Sequence, residues 1–587
     1  MSGIGLVLNI AKDALLSQQY AINVVSHNIA NVHTEGYSRQ RIDLETKDPA
    51  VYAGLLFGRG VDIGSITRVA DSFIEARLSE RESDTASLEA AENYMAVLEG
   101  IFNETSENGL SAHMAAFWNA WHDLSNDPSG DTERAMLYER SDMLAEAFKA
   151  LSTSLDEFVI DLNRSLTNSV EKINEITATI ADVNNQIVGM EVDKVANDLR
   201  DKRNILLNEL SQYIDNKWFE QDNGSITVIV GKGQVMVLGS ESYDMSVDGA
   251  GVKLEGSGDS TVDLTDSIKG GKLGGWLDMR DEFIPKYKAD LDSLAKSFIG
   301  EVNKIHTQGV GLSFFDSAIT GTYATDATGL LSTLDFGNEI DYSKDLTIWA
   351  DDGLGNVTEV TVDLTFYGLS GASNITDLRD AINTELGGLS DWASVTTGNA
   401  LKLDPVLDPN YTYAFSDNGS NLLAALGINT FFQGDDATSM AVNSVIANTD
   451  NIAAAKIDAT GPPPGIFAVG DNSNALDMAD LQYIEVSTER WTYSRGSTPT
   501  STTVSSTLED YYHTLVSAIG IKSESITRGK AYSESILDKL TEVRNSISGV
   551  SIDEEMANLI RFQHAYSAAA KLIAVSDEML GRLIDVK

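Results

Sequence analysis

The two ends of the chain carry the same pattern, and that pattern constrains the fold more than anything between them. Ile4, Leu8, Ala11, Leu15, Gln18, Ile22, Val25 and Ile29 follow one another at alternating steps of four and three. Near the other terminus Ile552, Met556, Leu559, Gln563, Tyr566, Ala570, Ile573, Asp577, Leu580 and Ile584 do the same. A stripe this narrow suits a helix that packs along a seam against other helices. Two such helices at opposite ends of 587 residues predict that the termini meet and that everything between them is inserted.

The inserted part is too long for one core and predicts about three or four domains. From 71 to 104 helix formers return, with Phe73, Leu78, Leu88, Met95, Leu98 and Phe102 as the apolar face. Asn126-Asp-Pro-Ser-Gly130 is a turn, and the acidic start that follows it opens a helix over 131–190. At 1.5 Å per residue that helix is about 90 Å long. A shorter helix over 196–216 precedes a hairpin of 224–230 with 234–238, and another helix covers 276–306. From 309 to 501 the chain is rich in Ser, Thr, Gly, Asn and Asp. It has strand candidates at 346–350 and 359–366, a small helix at 375–386, and an exposed rigid turn at Gly461-Pro-Pro-Pro-Gly465. Helical period resumes at 508, breaks at Ser548-Gly549 and runs to the end.

The fold class is therefore multidomain α+β: coaxial terminal helices and a long-helix bundle carrying β-rich outer domains. The expected division is an axial core of 1–70 with 548–587 and a rod of 71–215 with 272–312 and 506–547. A small β-rich insert at 216–271 and an acidic β-rich outer insert at 313–505 complete it. The outer insert reads as a bulge that the axial core can do without.

Composition narrows the function. There are 88 acidic and 42 basic residues, a formal net charge of −46, which a phosphate backbone repels, so no nucleic acid is expected. No run of about 20 apolar residues predicts membrane insertion. The N-terminus has no basic region and no cleavage site of a Sec signal. With no cysteine, disulfides, thiolate metal sites and a cysteine nucleophile are all excluded. Phosphate-binding loops, zinc-protease and hydrolase motifs are absent. Gly58-Arg-Gly60-Val-Asp-Ile-Gly64 has the wrong spacing for a nucleotide and reads as a turn between short strands. Asp351-Asp352 and Asp435-Asp436 read as solvated acids, and His27 and His33 as packing or capping groups. No enzyme activity, cofactor or metal is expected.

The opening helix has only Lys12 and Asp13 as charges through residue 34, with Val7, Ile10, Ala14, Ala21, Val24 and Ala30 outside the seam. The stripe alone fits an intramolecular coiled coil. A helix apolar nearly all round, however, needs partners on several sides, which packing of many copies supplies. The expected subunit interface is Ile4, Leu8, Leu15, Ile22, Val25 and Ile29 with Met556, Leu559, Tyr566, Ile573, Leu580 and Ile584.

After that helix comes Asn28-Ile-Ala-Asn31-Val-His-Thr34-Glu-Gly36-Tyr37-Ser-Arg39-Gln40. It resembles the signature of flagellar axial proteins of the rod, hook and hook–filament junction. The segment from Ser551 to Ile573 resembles their C-terminal module. Further motifs resemble the junction members: Ala91-Glu-Asn-Tyr94 to Asn103-Glu104, Trp121-His-Asp-Leu124 to Pro128, Ala196-Asn-Asp-Leu199-Arg-Asp-Lys-Arg203, and Gly274-Gly-Trp-Leu277. The segment 310–505 resembles nothing nameable. The resemblance implies a structural protein exported unfolded through the flagellar type III apparatus, without a cleaved signal, to the extracellular flagellum. It would assemble with itself between hook and filament. Its implied neighbours are the hook protein, a second junction protein and an export chaperone that holds the C-terminal helices. A hook or distal-rod protein with the same termini is the alternative, and a secreted adhesin or enzyme on a flagellar framework a more distant one. The long helix and the Ala196–Arg203 motif separate this chain from the hook type.

Overall fold

The computed structural model describes residues 2–52, 55–102, 109–191, 195–249, 251–256, 260–387, 389, 391–405, 411–460 and 465–585. The proposed proline turn at 461–464 and the Asn103-Glu104 motif lie outside them. The chain forms two compact units: 1–94 with 162–279 and 523–587, and 95–161 with 280–522.

Helix α1 (Ser2–Ala30) leads through the signature turn into β1 (Gln40–Thr46). Two short strands, β2 (Ala50–Tyr52) and β3 (Leu55–Phe57), form a hairpin, and β4 (Val61–Arg68) returns antiparallel to β1 with a bulge at Asp43/Leu44. Next come α2 (Ser72–Ile101), α3 (Leu110–Asn126), the 60-residue α4 (Asp131–Met190) and α5 (Asn197–Tyr213). The expected long helix is present as one element. Phe73, expected on the core face of α2, is instead 64% exposed and lies under the Arg77 guanidinium, whereas Leu78, Met95, Leu98 and Phe102 are buried.

Strands β5 (Asn216–Glu220), β6 (Ile226–Val230), β7 (Gln234–Leu238) and β8 (Glu241–Ser242) form one sheet in chain order, and the expected hairpin is β6–β7. A second sheet holds β9 (Met245–Asp248), β10 (Gly251–Glu255) and β11 (Thr261–Asp263). Both share one core with Leu166, Ile173, Ile176 and Ile180 of α4 and Leu207 and Leu210 of α5. Alternation along β6 sends Ile226, Val228 and Val230 into that core.

The next helix begins earlier than expected, as α6 (Gly271–Asp278), and passes through a π-helical turn into α7 (Ile284–His306). Within the second unit, α8 (Ile375–Leu386), capped reciprocally by Asn374 and Asp377, accompanies a three-stranded sheet of Val357–Asp363, Asp345–Asp351 and Thr412–Ser416. Short helices α9 (Leu422–Leu426) and α10 (Ser473–Asp480) follow. The chain closes with α11 (Leu508–Ser548) and α12 (Ile552–Asp585).

The 313–505 segment does not stand apart from the helices of its unit. Phe431 and Phe432 pack on Phe117, Trp121 and Phe298, with ring centroids 5.3–6.0 Å apart for Phe117–Phe298, Trp121–Phe431 and Phe298–Phe432. Arg134 of α4 is buried, and its guanidinium donates to the carbonyls of Pro128, Thr449 and Ile452, each at 2.9 Å. The expected separation fails because aromatic residues on both sides of the presumed boundary remove one another from water.

Candidate functional site

The signature turn joins both ends of the chain to the middle. Asn28, at the last turn of α1, is 1% exposed, and its amide uses every hydrogen-bonding position it has. Its Oδ1 accepts from the Gln40 N–H at 2.9 Å and the Tyr37 hydroxyl at 2.7 Å. Its Nδ2 donates to the Gln40 carbonyl and to Glu555 Oε2, both at 2.9 Å. The side chain thus pairs with the Gln40 backbone as a neighbouring strand would, and fixes where β1 begins.

Arg39 completes the junction with α12. Its Nε lies 2.9 Å from Glu555 Oε1 and its Nη1 2.9 Å from Glu554 Oε2, and its backbone N–H donates to the Ser548 carbonyl at 2.9 Å. Glu555 is 1% exposed, so its charge is removed from water and held by one guanidinium and one amide.

On the other side the turn rests on the start of α5. The Ser38 N–H donates to Asp201 Oδ2 at 3.0 Å, and Arg68 Nη1 sits 3.0 Å from Asp201 Oδ1. Gln40 Nε2 donates to Asp198 Oδ1 at 2.8 Å, and Asn197 Nδ2 to the Ile66 carbonyl at 2.9 Å. Burial and then the carboxylates of Asp198, Asp201 and Glu555 raise the Tyr37 pKa, so its hydroxyl stays a donor. The His27 Nδ1 lies 3.1 Å from that hydroxyl, and Asn31 and Thr34 close the turn: Asn31 Nδ2 donates to the His27 carbonyl at 3.0 Å and Thr34 Oγ1 to Asn31 Oδ1 at 3.1 Å. Gly36 adopts φ +74°, with Ile205 of α5 against it.

All seven signature residues therefore belong to one region, with Arg39 and Gln40 carrying the links outward. Sequence reasoning did not name Asn197, Asp198, Asp201, Glu554 and Glu555 as their partners. The signal was present, since the motifs at 196–203 and 551–573 contain them, but chain distance hid the pairing.

The stripe residues divide. Helix α1 packs along α12. The buried residues of these two helices are mostly small: Ala11, Ser17, Ala21 and Val24 on α1, and Ala569 and Ser576, seven apart, on α12. Val25, expected at the subunit interface, is 4% exposed and belongs to the internal packing, because it falls on the small-residue side of α1. Ile4, Leu15, Ile22, Ile29, Leu559, Tyr566 and Ile573 are half-buried. Leu8, Met556, Leu580 and Ile584 are exposed, together with Ile560, Leu572, Val575 and Met579.

Comparison with known proteins follows this layout. Three family models match in chain order. They are described as flagella basal body rod protein over residues 8–37, flagellar hook-associated protein FlgK helical domain over 95–317, and flagellar basal body rod FlgEFG protein C-terminal over 544–586. Flagellar hook-associated protein 1 of Bacillus subtilis (strain 168) is 25% identical, covering 98% of this chain and 97% of that one. Its counterpart in Escherichia coli (strain K12) is also 25% identical, covering 99% and 100%. The solved structure of the flagellar hook junction protein FlgK from Burkholderia pseudomallei shares the fold with a TM-score of 0.51, at 18% identity over 81% of this chain and all of that one. Rod-type modules at both ends, clasped together around an insertion, define an axial protein of the bacterial flagellum. The chain belongs to the flagellar hook-associated protein 1 family, structural subunits of the hook–filament junction.

Proposed function

We propose that the chain is a non-enzymatic subunit that assembles with copies of itself through α1 and α12 and joins the hook to the filament outside the cell. The observation that carries this reading is the division of apolar residues on the terminal helices. The residues they bury are mostly small, while Leu8, Met556, Leu580 and Ile584 are exposed. Exposed side chains of this size on paired helices call for further helices around them. Val25 is left out of the interface, and the half-buried Ile4, Leu15, Ile22, Ile29, Leu559, Tyr566 and Ile573 form its margin.

The hook protein below, a second junction protein above and an export chaperone on α12 before secretion complete the proposed set of partners. Passage unfolded through the type III apparatus fits a chain with no cysteine and a net charge of −46. The match of the helical domain over 95–317 favours the junction over a hook or distal-rod role.

Immunogold labelling of purified flagella tests the reading. Label confined to the hook–filament junction is the expected result. Label along the hook would favour the alternative, and absence from flagella would end the proposal.

A further inference from the structure

The β2–β3 hairpin has no use in the clasp. Val51 is 73% exposed, Leu55 63%, Leu56 71% and Phe57 40%, and Val51 pairs with Leu56 across the strands. A two-stranded hairpin is marginal alone, and large apolar side chains on both strands make it costly to leave in water. Its base is nevertheless fixed. The Lys47 N–H donates to the Gly60 carbonyl at 3.1 Å, and Lys47 Nζ reaches Asp13 of α1 at 2.8 Å. Gly60 lies against Ile10, so close that an added Cβ would meet its Cγ2 at 3.3 Å. The hairpin is thus held beside the N-terminal half of α1, where Val7 and Leu8 are also exposed.

We infer that this hairpin is a finger that docks on the outward apolar faces of α1 and α12 of a second copy of this chain. The inference rests on the reading that copies assemble through those helices. Two observations point to a copy of the same chain. First, the finger continues the outward face of α1, so subunits packed through that face bring it to a neighbour. Second, the finger is nearly free of charge: Arg59 is the only charged residue between 49 and 61 and stands between Asp48 and Asp62, in a chain of net charge −46 whose α1 carries only Lys12 and Asp13. An apolar finger and an apolar helix face of so little charge can meet, whereas the acidic surfaces of two copies elsewhere repel. A head-to-tail contact of this kind repeats from copy to copy, as a ring or helical assembly requires.

The absence of cysteine permits a direct test. The full-length Leu56→Cys chain, assembled on flagella, is labelled with benzophenone maleimide and photolysed. An adduct of twice the chain mass, mapped by mass spectrometry to residues 2–30 or 552–585, is expected. Adducts only within one copy, only to another flagellar protein, or none would overturn the proposal. In parallel, Val51→Ser with Leu56→Ser should lower the yield of attached filaments about tenfold or more, since two large apolar contacts are lost. The melting temperature of the soluble subunit should not move, because both residues are exposed. Normal filament yield in that variant would also overturn the finger. Failure of the assembly reading itself is distinct: the wild-type chain would then be missing from purified flagella.

Discussion

Asn28 Nδ2 and Glu555 Oε2 are 2.9 Å apart, a buried hydrogen bond across 527 residues of chain. It needs an amide, because only an amide can donate to Glu555 and the Gln40 carbonyl while accepting from Tyr37 and the Gln40 N–H. Asn28→Asp keeps the shape, removes both donors and sets a second carboxylate against Glu555. It should cost about 3–5 kcal/mol, the range for leaving a buried charge without its partner. The readout is faster hydrogen exchange in α12 and the end of α1. Adding Glu555→Gln should recover part of the protection, since the new amide can donate to the carboxylate introduced at position 28. Unchanged exchange in the single variant would mean that the clasp does not hold the two ends together.

Gly36 carries a separate constraint. At φ +74° a side chain is strained, and an alanine Cβ would sit 2.4 Å from Ile205 Cγ1. Gly36→Ala should therefore cost about 1–2 kcal/mol from conformation alone, and more from the collision. Ile205 is 42% exposed and can be truncated cheaply, so the cycle with Ile205→Ala separates the two terms. The double variant should regain the steric part and keep the conformational part. Full recovery would show that the backbone at Gly36 relaxes readily.

Periodicity reveals the terminal helices, the 131–190 helix and the β6–β7 hairpin because each signal is local. What it misses is long-range. Helix α3 buries one face, Met114, Phe117, Trp118, Trp121 and Leu124 at helical spacing, but that spacing does not say that Phe298, Phe431 and Phe432 cover it. The signature turn is legible as a motif, yet its chemistry depends on Asp198, Asp201 and Glu555, which no spacing within residues 28–40 can announce. The a/d stripe is legible as apolar but not as divided. The buried positions on the two helices are mostly small residues, and the large ones are left half-buried or exposed.

The second unit should resist mild acid through opposing groups. His306 accepts from the Ala453 N–H at Nε2, 3.0 Å, so its proton is on Nδ1, 2.8 Å from the Asn429 carbonyl. Burial, aided by Arg134, lowers its pKa to about 4. The unfolded chain then binds the extra proton between pH 6.5 and 4, and stability falls by about 3 kcal/mol as pH drops through that window. Burial raises Asp417 and Asp292 to about 6. There the folded state binds the extra proton, so stability rises as pH falls from about 6 towards 4. In the wild type the two carboxyls together outweigh the histidine, so stability should hold or rise over this window. Asp292→Asn with Asp417→Asn removes the opposing pair, and the urea midpoint followed by tryptophan fluorescence should then drop on acidification from pH 6.5 to 4. A midpoint that holds or rises on acidification in that variant would show that His306 is not the acid-sensitive group.

Excising 313–500 tests how far the outer segment belongs to its helices. The deletion takes Phe431 and Phe432 from Phe117, Trp121 and Phe298, and the Thr449 and Ile452 carbonyls from Arg134. It also removes both partners of the His306 ring, Asn429 and Ala453. Truncating even one well-packed aromatic costs about 3–5 kcal/mol, so the loss of two together with ligands of a buried guanidinium exceeds what one unit can absorb. The shortened chain should bind anilinonaphthalene sulfonate and lose the near-ultraviolet circular dichroism of Trp118 and Trp121. The clasp lies wholly in the other unit, so hydrogen-exchange protection at Asn28–Gln40 should survive. Retention of the tryptophan signal would mean that the helices around Phe298 form a core without the segment. Loss of protection at the clasp would mean that the two units fold as one.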